Sequence, residues 1–381
     1  VSLGSKHFHI FRPAKWNNVR LLFLSLAVVI AIRVSEAVWL FHILSPEDKF
    51  STPWMDANPA LIPSAFNWLW LFNAWDSLQF QIIAKFGYTH PNYVFLPAYP
   101  ILIRFTGLLI GDNWYGAFLV TQIFAFASVV AFQRVAEIYM RPREAFYATL
   151  LMATFPYVSV FTTLSYSEAV FLFLSLSTWY FYKKGRIGTA SLLAALASVT
   201  RIYGITIVLP IILDIVRSKR YRKLLYIVIP VMFIGSWALY CYLSTGDPFV
   251  SWTDEKYWTH GANGDGIRLV QAILFQGFRG LLVCCSGLDP VVFFPISIFA
   301  YLVVRIWQVD RLLWGYAVTL FGLLILTSSS YVSLLRFMAF IFPVWLTLRV
   351  RHPLGAAVCI AFFISASLLV WLYAIAVTFV G

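Results

Sequence analysis

The segment FNAWDSLQFQIIAKFGYTHPNYVFLPAYPILIRFTG, from Phe72 to Gly107, decides how the rest of the chain is interpreted. It places a carboxylate, Asp76, among aromatic residues in a chain that is otherwise largely apolar. Pro97, Pro100 and the pair Gly87-Tyr88 interrupt the segment, which predicts that it is not one continuous spanning helix. A carboxylate beside irregular backbone at a membrane boundary indicates a functional site, because burying such a group is costly.

The composition indicates a polytopic membrane protein. Of the 381 residues, 61% are hydrophobic and 12% are charged, whereas soluble domains carry about 25% charged residues. The net charge of +12 would suggest a nucleic-acid partner in a soluble protein. Here the basic residues form short clusters between apolar runs, which is the pattern that sets membrane topology. We therefore expect contact with membrane lipid and no nucleic-acid partner.

The alternation of apolar runs and basic clusters predicts an all-α fold with about eleven transmembrane helices. Residues 1–20 are expected to form a basic cytoplasmic tail, and residues 21–381 a single transmembrane domain. Two outer loops are predicted, at 45–113 and 244–280. The first should contain the catalytic segment and two short interfacial helices, Trp75–Phe86 and Tyr99–Ile110, since neither is long enough to cross a bilayer comfortably.

Other features of the chain give smaller expectations. Arg33 and Glu36 lie three residues apart in the first apolar run and can pair on one helical face. That run is long enough to span and has no clear cleavage site, which predicts no cleavable signal peptide. The cysteines lack metal-ligand spacing and lie in or beside apolar runs, so we expect buried free thiols. They are Cys241, Cys284, Cys285 and Cys359.

The polar residues that need an explanation collect on the predicted outer side. A transporter would more naturally place paired charges near the bilayer midplane, in two repeated halves. The one-sided distribution favours a catalytic vestibule instead. Two alternatives stay open, a polytopic transporter or flippase of lipid-linked sugar, and a non-catalytic subunit that binds polyprenyl lipid. The outer polar residues are Asp76, His90, Glu168, Arg201, Asp254, Lys256, His260 and Arg336.

Several motifs, taken together and in order, resemble the GPI mannosyltransferase II (PIG-V-like) family of the GT-C glycosyltransferases. In the central segment these are Trp75-Asp76, Gly87-Tyr88 and the aromatic-Pro-x-x-Pro turn Phe95 to Pro100. The loop Thr245 to Trp258 resembles prokaryotic members, which points to a compact prokaryotic-type protein. Further matching segments follow at Ser165 to Ser175, Ser198 to Gly204 and Leu334 to Leu348.

Two departures from the family pattern concern the acceptor. The residue before Trp75 is Ala74, where many relatives carry a basic side chain. The chain also lacks the longer outer loops of the eukaryotic enzymes. The resemblance therefore does not extend to the GPI precursor as the acceptor.

The resemblance implies a GT-C-type helical bundle with its active site on the outer, extracytoplasmic or lumenal face. It implies an inverting glycosyltransferase that moves a hexose, mannose by preference, from a polyprenyl-phosphate donor. The acceptor would be a lipid-linked or surface glycan. No cofactor is expected, and the histidines and acids lack the spacing of a metal site.

Asp76 is the expected catalytic base for the acceptor hydroxyl, because such a reaction needs a base beside the sugar and opposite the phosphate. The alternative is that Asp76 only caps its helix through the backbone of Leu78 or Gln79. Arg336 and Arg201 are expected to bind the donor phosphate, which gains charge as it leaves. Their alternative role is snorkelling at the interface.

A further set of residues is expected to contact the substrates. Glu168 would orient the acceptor or pair with an arginine. Aromatic side chains in the outer loops would stack on sugar, although such residues commonly anchor at the interface. The predicted substrate-binding residues are Trp75, Tyr88, His90, Glu168, Lys256, Trp258 and His260.

Overall fold

The computed structural model describes residues 15–43, 72–73, 75–258, 290–327 and 331–379. All regular secondary structure within these ranges is helical, as predicted. The α-helices are α1 (Lys15–Ile43), α2 (Asp76–Phe86), α3 (Ala98–Ile110), α4 (Asn113–Tyr139), α5 (Pro142–Thr154), α6 (Pro156–Phe161), α7 (Glu168–Lys183), α8 (Ile187–Thr200), α9 (Val208–Arg217), α10 (Val228–Thr245), α11 (Val250–Trp258), α12 (Pro290–Arg305), α13 (Arg311–Thr327), α14 (Tyr331–Ala339) and α15 (Pro353–Phe379). Short 3₁₀ segments lie at Asn92–Val94, Ile202–Ile207, Tyr221–Ile227, Ile306–Gln308 and Phe342–Thr347.

Several of these helices are apolar enough to cross a membrane. Four segments meet that condition by length and composition, namely Asn18–His42, Asn113–Tyr139, Tyr221–Thr245 and Pro353–Leu372. Shorter apolar helices add to them in α3, α8, α12 and α13. Large apolar side chains also cover the outside of the bundle, where a soluble protein would carry polar ones. The chain is therefore a polytopic membrane protein, as its composition predicts.

The central segment folds as its sequence predicts. Helix α2 ends at Gly87, whose φ of +87° is open to glycine and strained for other residues. A 3₁₀ turn and Pro97 then lead into α3. Phe80 of α2 packs edge-on against Phe95 and Tyr99, with ring centroids 5.0 and 4.9 Å apart. These aromatic contacts hold the two short helices together.

Helices α3 and α4 approach each other closely at two glycines. A Cβ atom on Gly116 would lie 2.8 Å from the Gly107 backbone nitrogen, so no larger side chain fits there without movement. Asp112 caps α4, because its carboxylate accepts from the backbone N–H of Trp114 (2.6 Å) and Tyr115 (3.2 Å). Small residues at such a crossing are typical of membrane helices.

Two apolar runs that could each be expected to form one span, Ala145 to Thr163 and Phe337 to Leu348, are interrupted in the structure. The run Ala145 to Thr163 breaks at Phe155, because Pro156 cannot continue the hydrogen bonding of α5 and starts α6 instead. The run Phe337 to Leu348 is likewise not one helix. Helix α14 ends at Ala339, and Phe342–Thr347 forms a 3₁₀ segment that contains Pro343. Arg336, expected in a turn, therefore lies within α14.

The polar residues of α1 take partners from α4 and α6 rather than each other. Arg33 donates to the carbonyl and hydroxyl oxygens of Thr162 and to Gln122. Glu36 accepts from the Ser159 hydroxyl at 3.0 Å. The prediction of an Arg33–Glu36 ion pair is thus wrong, since both groups satisfy their charge across the helix interface. Both are almost fully buried.

Of the described cysteines, one is buried and one is exposed. Cys241 is a buried free thiol, as predicted, whereas the free thiol of Cys359 is exposed on α15. The prediction of burial is wrong for Cys359 because that face of α15 is the lipid-facing surface of the bundle. Cys284 and Cys285 lie outside the described residues.

Candidate active site

The backbone at Trp75 adopts a strained conformation immediately before Asp76. Its φ of +52° lies in a region that bulky residues rarely occupy and that costs on the order of 1–3 kcal/mol. The indole ring is fixed by stacking on Phe161, with centroids 6.2 Å apart and planes 22° apart. The Asp76 N–H donates to the hydroxyl of the buried Tyr166 at 3.0 Å. These contacts fix the start of α2, and strain of this kind concentrates at functional sites.

The Asp76 side chain points to Arg336 rather than to its own helix. The Arg336 Nη1 donates to Asp76 Oδ2 at 3.2 Å. Helix α2 begins without any side-chain cap hydrogen bond, so the alternative that Asp76 is only an N-cap is wrong. The carboxylate keeps 28% of its surface exposed, which leaves it accessible to a ligand.

Glu168 connects Arg336 to Arg201. Arg201 Nη2 donates to Glu168 Oε1 at 2.7 Å, and Arg336 Nε lies 3.1 Å from the same oxygen. The second contact is an ion pair rather than a hydrogen bond, because the Arg336 Nε–H has no aligned acceptor. Asp76, Arg336, Glu168 and Arg201 therefore form a row of alternating charges, which we call the charge row. The structure brings together four residues that lie far apart in the sequence.

Aromatic rings enclose the two guanidinium groups of the charge row. The Arg336 guanidinium carbon lies 5.1 Å from the ring centroid of Phe161, 5.2 Å from that of Tyr166 and 4.5 Å from that of Phe337. Phe337 also lies 4.6 Å from the Arg201 guanidinium carbon. Such packing against ring faces stabilises cations and fixes the plane of the guanidinium. Interfacial snorkelling does not describe these arginines, since their side chains are only 11% and 13% exposed.

Glu168 pairs with arginine, which is one of the two roles that the sequence left open for it. Its side chain is 1% exposed and lies beneath both arginines. It can therefore act on a substrate through the arginines that it orients, and not by direct contact with the acceptor. Of the two roles open in the sequence, pairing with arginine is the one that the geometry supports.

A further carboxyl group, Glu255 on α11, is half-buried. Burial raises the pKa of Glu255, the negative charge of Asp76 raises it further, and the positive charge of Arg201 lowers it. The sequence prediction missed this residue. A signal was available, because Asp254 and Glu255 are consecutive carboxylates in a short outer segment, where burial of one brings the other near the same interior.

The structure contains an apolar cavity of about 630 Å³. It is lined by Val170, two residues after Glu168, and by Val199 and Thr200, which directly precede Arg201. Ile101 of α3 and Tyr240 of α10 also line it while remaining 62% and 43% exposed. The cavity therefore reaches the surface of the helical bundle, and residues that precede Arg201 in the chain line part of it.

Of the other predicted substrate-binding residues, the structure describes the side chains of Tyr88 and His90. Tyr88 lines the cavity and donates to the Phe95 carbonyl oxygen at 2.8 Å. His90 Nδ1 lies 2.8 Å from Oδ1 of the buried Asp254, so it holds α11 against the first outer loop. The side chains of Lys256 and Trp258, and all of His260, lie outside the described part of the chain. Within that part, no group of three or more His, Cys, Asp or Glu residues could hold a metal ion.

Comparison with known proteins assigns the family. Residues 19–231, more than half of the chain, match the family described as Mannosyltransferase (PIG-V). The chain belongs to the PIG-V mannosyltransferase family. Relatives include the GPI alpha-1,6-mannosyltransferase 2 of Cricetulus griseus, 30% identical over 181 residues, and that of Rattus norvegicus, 31% identical over 181 residues. The Homo sapiens protein of the same name is 30% identical over 192 residues.

The match to these PIG-V relatives is partial. It covers 44% of this chain and only 36–37% of each relative. The family match includes Asp76, Glu168 and Arg201 but ends before Glu255 and Arg336. Arg336 joins the site through the fold, because α14 carries it to Asp76 and Glu168.

Proposed function

We propose that this PIG-V family protein is an inverting glycosyltransferase that moves mannose from a polyprenyl-phosphate donor to a lipid-linked or surface glycan acceptor. The observation that carries this proposal is the charge row, which begins at an accessible carboxylate and ends at an arginine whose two preceding residues line an apolar cavity. The proposal includes the GT-C-type arrangement of about eleven spans. It also includes the cytoplasmic tail 1–20, the single domain 21–381, and the outer loops 45–113 and 244–280, with the site on the outer face.

Asp76 is the proposed general base. The acceptor hydroxyl oxygen attacks the anomeric carbon while the bond from that carbon to the phosphate oxygen breaks. The phosphate leaves with the electron pair, and Asp76 takes the proton of the hydroxyl. This role requires an accessible carboxylate, and the contact of Oδ2 with Arg336 helps to orient it. The strained Trp75 and the hydrogen bond from the Asp76 N–H fix the direction of that carboxylate.

Arg201 and Arg336 are the proposed phosphate ligands. Arginine presents a planar fork that suits phosphate oxygens, and charge-assisted bonds stabilise the departing group. Burial lowers the pKa of Arg336, but the Glu168 and Asp76 carboxylates raise it above its usual value, so the side chain stays cationic. Arg201 is the nearer of the two to the cavity.

The apolar cavity is the proposed site for the isoprenoid chain of the donor. Its lining is almost entirely hydrocarbon and aromatic, and a site for a lipid tail must be apolar in this way. Because Val199 and Thr200 lead into Arg201, a chain lying in the cavity would deliver its phosphate to the arginine end of the charge row. The sugar would then extend along the row towards Asp76.

The proposal is tested by transfer of radiolabelled mannose. The purified protein is incubated with polyprenyl-phosphate-mannose and a membrane lipid extract, and the labelled products are identified. We expect label in a new glycolipid and release of polyprenyl phosphate. Donor binding without transfer would support a non-catalytic lipid-binding subunit instead. Movement of intact labelled donor across proteoliposomes without transfer would support a flippase.

A further inference from the structure

Arg33 is a buried charge to which the proposed reaction gives no role. It lies in α1, inside the apolar segment Asn18–His42, and is only 7% exposed. Charged residues inside membrane helices are rare and costly, and they indicate function by default. Arg33 Nη1 donates to the Thr162 carbonyl oxygen at 3.0 Å and to Gln122 Oε1 at 3.2 Å, while Nη2 donates to the Thr162 hydroxyl. The contacts of Arg33 therefore converge on the residue that directly follows α6.

The last turn of α6 is held by side chains of other helices. This helix has six residues, and so short a helix is not stable by itself. Gln122 Nε2 of α4 donates to the Thr163 carbonyl oxygen at 3.0 Å. Within α6, the Ser159 hydroxyl donates to Glu36 of α1 at 3.0 Å. Helices α1 and α4 thus fix the chain on both sides of Phe161.

Phe161 contacts each of the three residues that hold Asp76. Its ring stacks on that of Trp75, whose strained backbone precedes Asp76, with centroids 6.2 Å apart. The Tyr166 ring, whose hydroxyl accepts from the Asp76 N–H, lies edge-on with its centroid 5.5 Å from that of Phe161. The guanidinium carbon of Arg336, which binds the carboxylate, lies 5.1 Å from the same centroid. Displacement of this one ring would therefore disturb all three contacts.

We propose that Arg33 is a positioning residue for the charge row, which it holds in place through the last turn of α6 and the ring of Phe161. A positive charge beside the C-terminal end of a helix is favourable. A planar guanidinium also presents several fixed donors, which suits the two oxygens of Thr162 better than an ammonium group would. The importance of Arg33 for transfer rests on the proposed function, because it follows from the roles given there to Asp76 and Arg336. Its effect on the position of Arg336 does not.

The test measures the accessibility of Arg336 and the rate of transfer on the same set of proteins. Accessibility is the rate at which phenylglyoxal modifies Arg336, followed by mass spectrometry of the peptide that contains it. Transfer is measured with polyprenyl-phosphate-mannose and a membrane lipid extract, as kcat and KM for the donor. Thermal unfolding establishes that each protein is folded. The proteins are the parent, Arg33→Gln, Arg33→Lys, Gln122→Leu, Phe161→Leu, and the double variant with Arg33→Gln and Phe161→Leu.

Ser25→Ala is the matched control. Ser25 also lies in α1, and its hydroxyl donates to Gln133 of α4 at 2.7 Å in the buried interior. Its other hydrogen bond, to the Leu22 carbonyl oxygen, stays within α1. The substitution therefore weakens the packing of α1 without removing a contact to α6. Ser25→Ala should keep the parental rates of Arg336 modification and of transfer.

We expect Arg336 to be modified about tenfold faster in Arg33→Gln and about threefold faster in Gln122→Leu, from the number of hydrogen bonds lost. Arg33→Lys should have a smaller effect than Arg33→Gln, because the charge remains. Transfer by Arg33→Gln should fall about tenfold or more in kcat/KM, since small displacements of reacting groups are costly. In the Phe161→Leu background, the same substitution should change either rate by less than about threefold, because the ring through which it acts is absent.

A parental rate of Arg336 modification in folded Arg33→Gln would overturn the inference. Fully additive effects of Arg33→Gln and Phe161→Leu on modification would overturn it as well. If Arg33→Gln does not fold, Arg33→Lys and Gln122→Leu decide by the same measurements. If modification follows the expected pattern while the parent transfers no mannose, the proposed function fails and the positioning of Arg336 by Arg33 stands.

Discussion

Arg336 and Tyr166 hold Asp76 from two sides, through its carboxylate and its backbone N–H. We predict that Asp76→Asn folds and still binds donor but transfers at least about a hundredfold more slowly, since base assistance is worth about 10²–10⁴ in rate. The amide keeps the shape of the side chain and loses its basic oxygen. Thermal unfolding, donor binding and initial transfer rates are measured on the parent, Asp76→Asn and Asp76→Ala. Near-parental transfer by Asp76→Asn would show that another group is the base.

Glu168 carries the charge that lets two arginines lie side by side. Replacing it with Gln would leave Arg201 and Arg336 packed on the same Phe337 ring without their shared counter-charge. Removing one partner of a buried ion pair costs about 3–5 kcal/mol. We therefore predict a large loss of thermal stability for Glu168→Gln.

The matched control for that experiment is Glu144→Gln. Glu144 Oε1 lies 3.6 Å from Nε of Arg351, whose side chain is 78% exposed. Such surface pairs contribute about 0–1 kcal/mol to stability. Both variants are compared with the parent by thermal unfolding in the same detergent. Equal midpoints for the two variants would mean that the charge row does not depend on the Glu168 charge.

Glu255 should make the stability of the protein depend on pH. Burial raises its pKa above the ordinary value of 4.5, and the charge of Asp76 adds to the increase against the opposing Arg201. The stabilising effect of its bound proton is therefore complete below about pH 4.5 and is lost as the pH rises through the folded-state pKa. Gln does not titrate, so only the parent should lose stability as the pH rises. The thermal-unfolding midpoint of Glu255→Gln, relative to that of the parent, should therefore increase from about pH 4 to about pH 8. A constant difference would show that Glu255 is solvated like an ordinary surface residue.

Single residues of the site could be predicted only where their chemistry was unusual for their surroundings. Asp76, Arg201 and Arg336 stood out because charges near membrane helices are costly. Glu168 links the two arginines, and Phe161 and Phe337 enclose Arg336. Both features depend on contacts between distant segments, which no local sequence pattern reveals. The roles of all these residues in transfer stay predictions until the assays above are made.

At the scale of elements, the end of α8 is shaped by a glycine. Arg201 adopts an extended conformation between α8 and the 3₁₀ segment Ile202–Ile207. Gly204 folds that segment back so closely that an added Cβ would lie 2.3 Å from the Ala197 carbonyl carbon. The contact is with backbone atoms, which cannot move aside as a side chain can. Arg201 is therefore positioned by the packing of Gly204.

We predict that Gly204→Ala lowers stability by about 1–3 kcal/mol, the usual cost of overpacking, and weakens donor binding by displacing Arg201. Gly235→Ala is the control, because Gly235 lies within α10 and an added Cβ meets nothing within 4 Å. Thermal unfolding and donor binding are measured on both variants. If Gly204→Ala is less stable but binds the donor as tightly as the parent does, the position of Arg201 does not depend on the packing of Gly204.

The elements that the sequence predicts well are those with clear ends. Helix α2 begins one residue after the predicted position and ends at Phe86, because Gly87 stops it. The failures lie at prolines inside apolar runs. Pro156 and Pro343 sit in stretches with the hydropathy of a span, and hydropathy does not register a missing N–H donor. The predicted span Phe337 to Leu348 was wrong for this reason.

For the whole molecule, the basic clusters predict which side of the membrane each loop faces. We predict that Ser218, after α9, faces the cytoplasm, and that Thr253, on α11, faces the opposite side with Asp76. Both residues are exposed. Single cysteines at these positions, in a background with the four native cysteines replaced, should react with impermeant reagents added to opposite sides of oriented vesicles. Labelling of both from one side would place the charge row in a different compartment from the one proposed.

If the protein acts as proposed, the opening of the apolar cavity at Ile101 and Tyr240 sets the concentration scale for its donor. A polyprenyl chain that enters there never passes through water, so the cost of about 0.8 kcal/mol for each exposed CH₂ group does not arise. Encounter is then a two-dimensional process. The quantity that governs saturation is the mole fraction of donor among the surrounding lipids, and not its molarity in the vessel. Added detergent would slow turnover at constant donor and protein, simply by diluting the surface in which they meet.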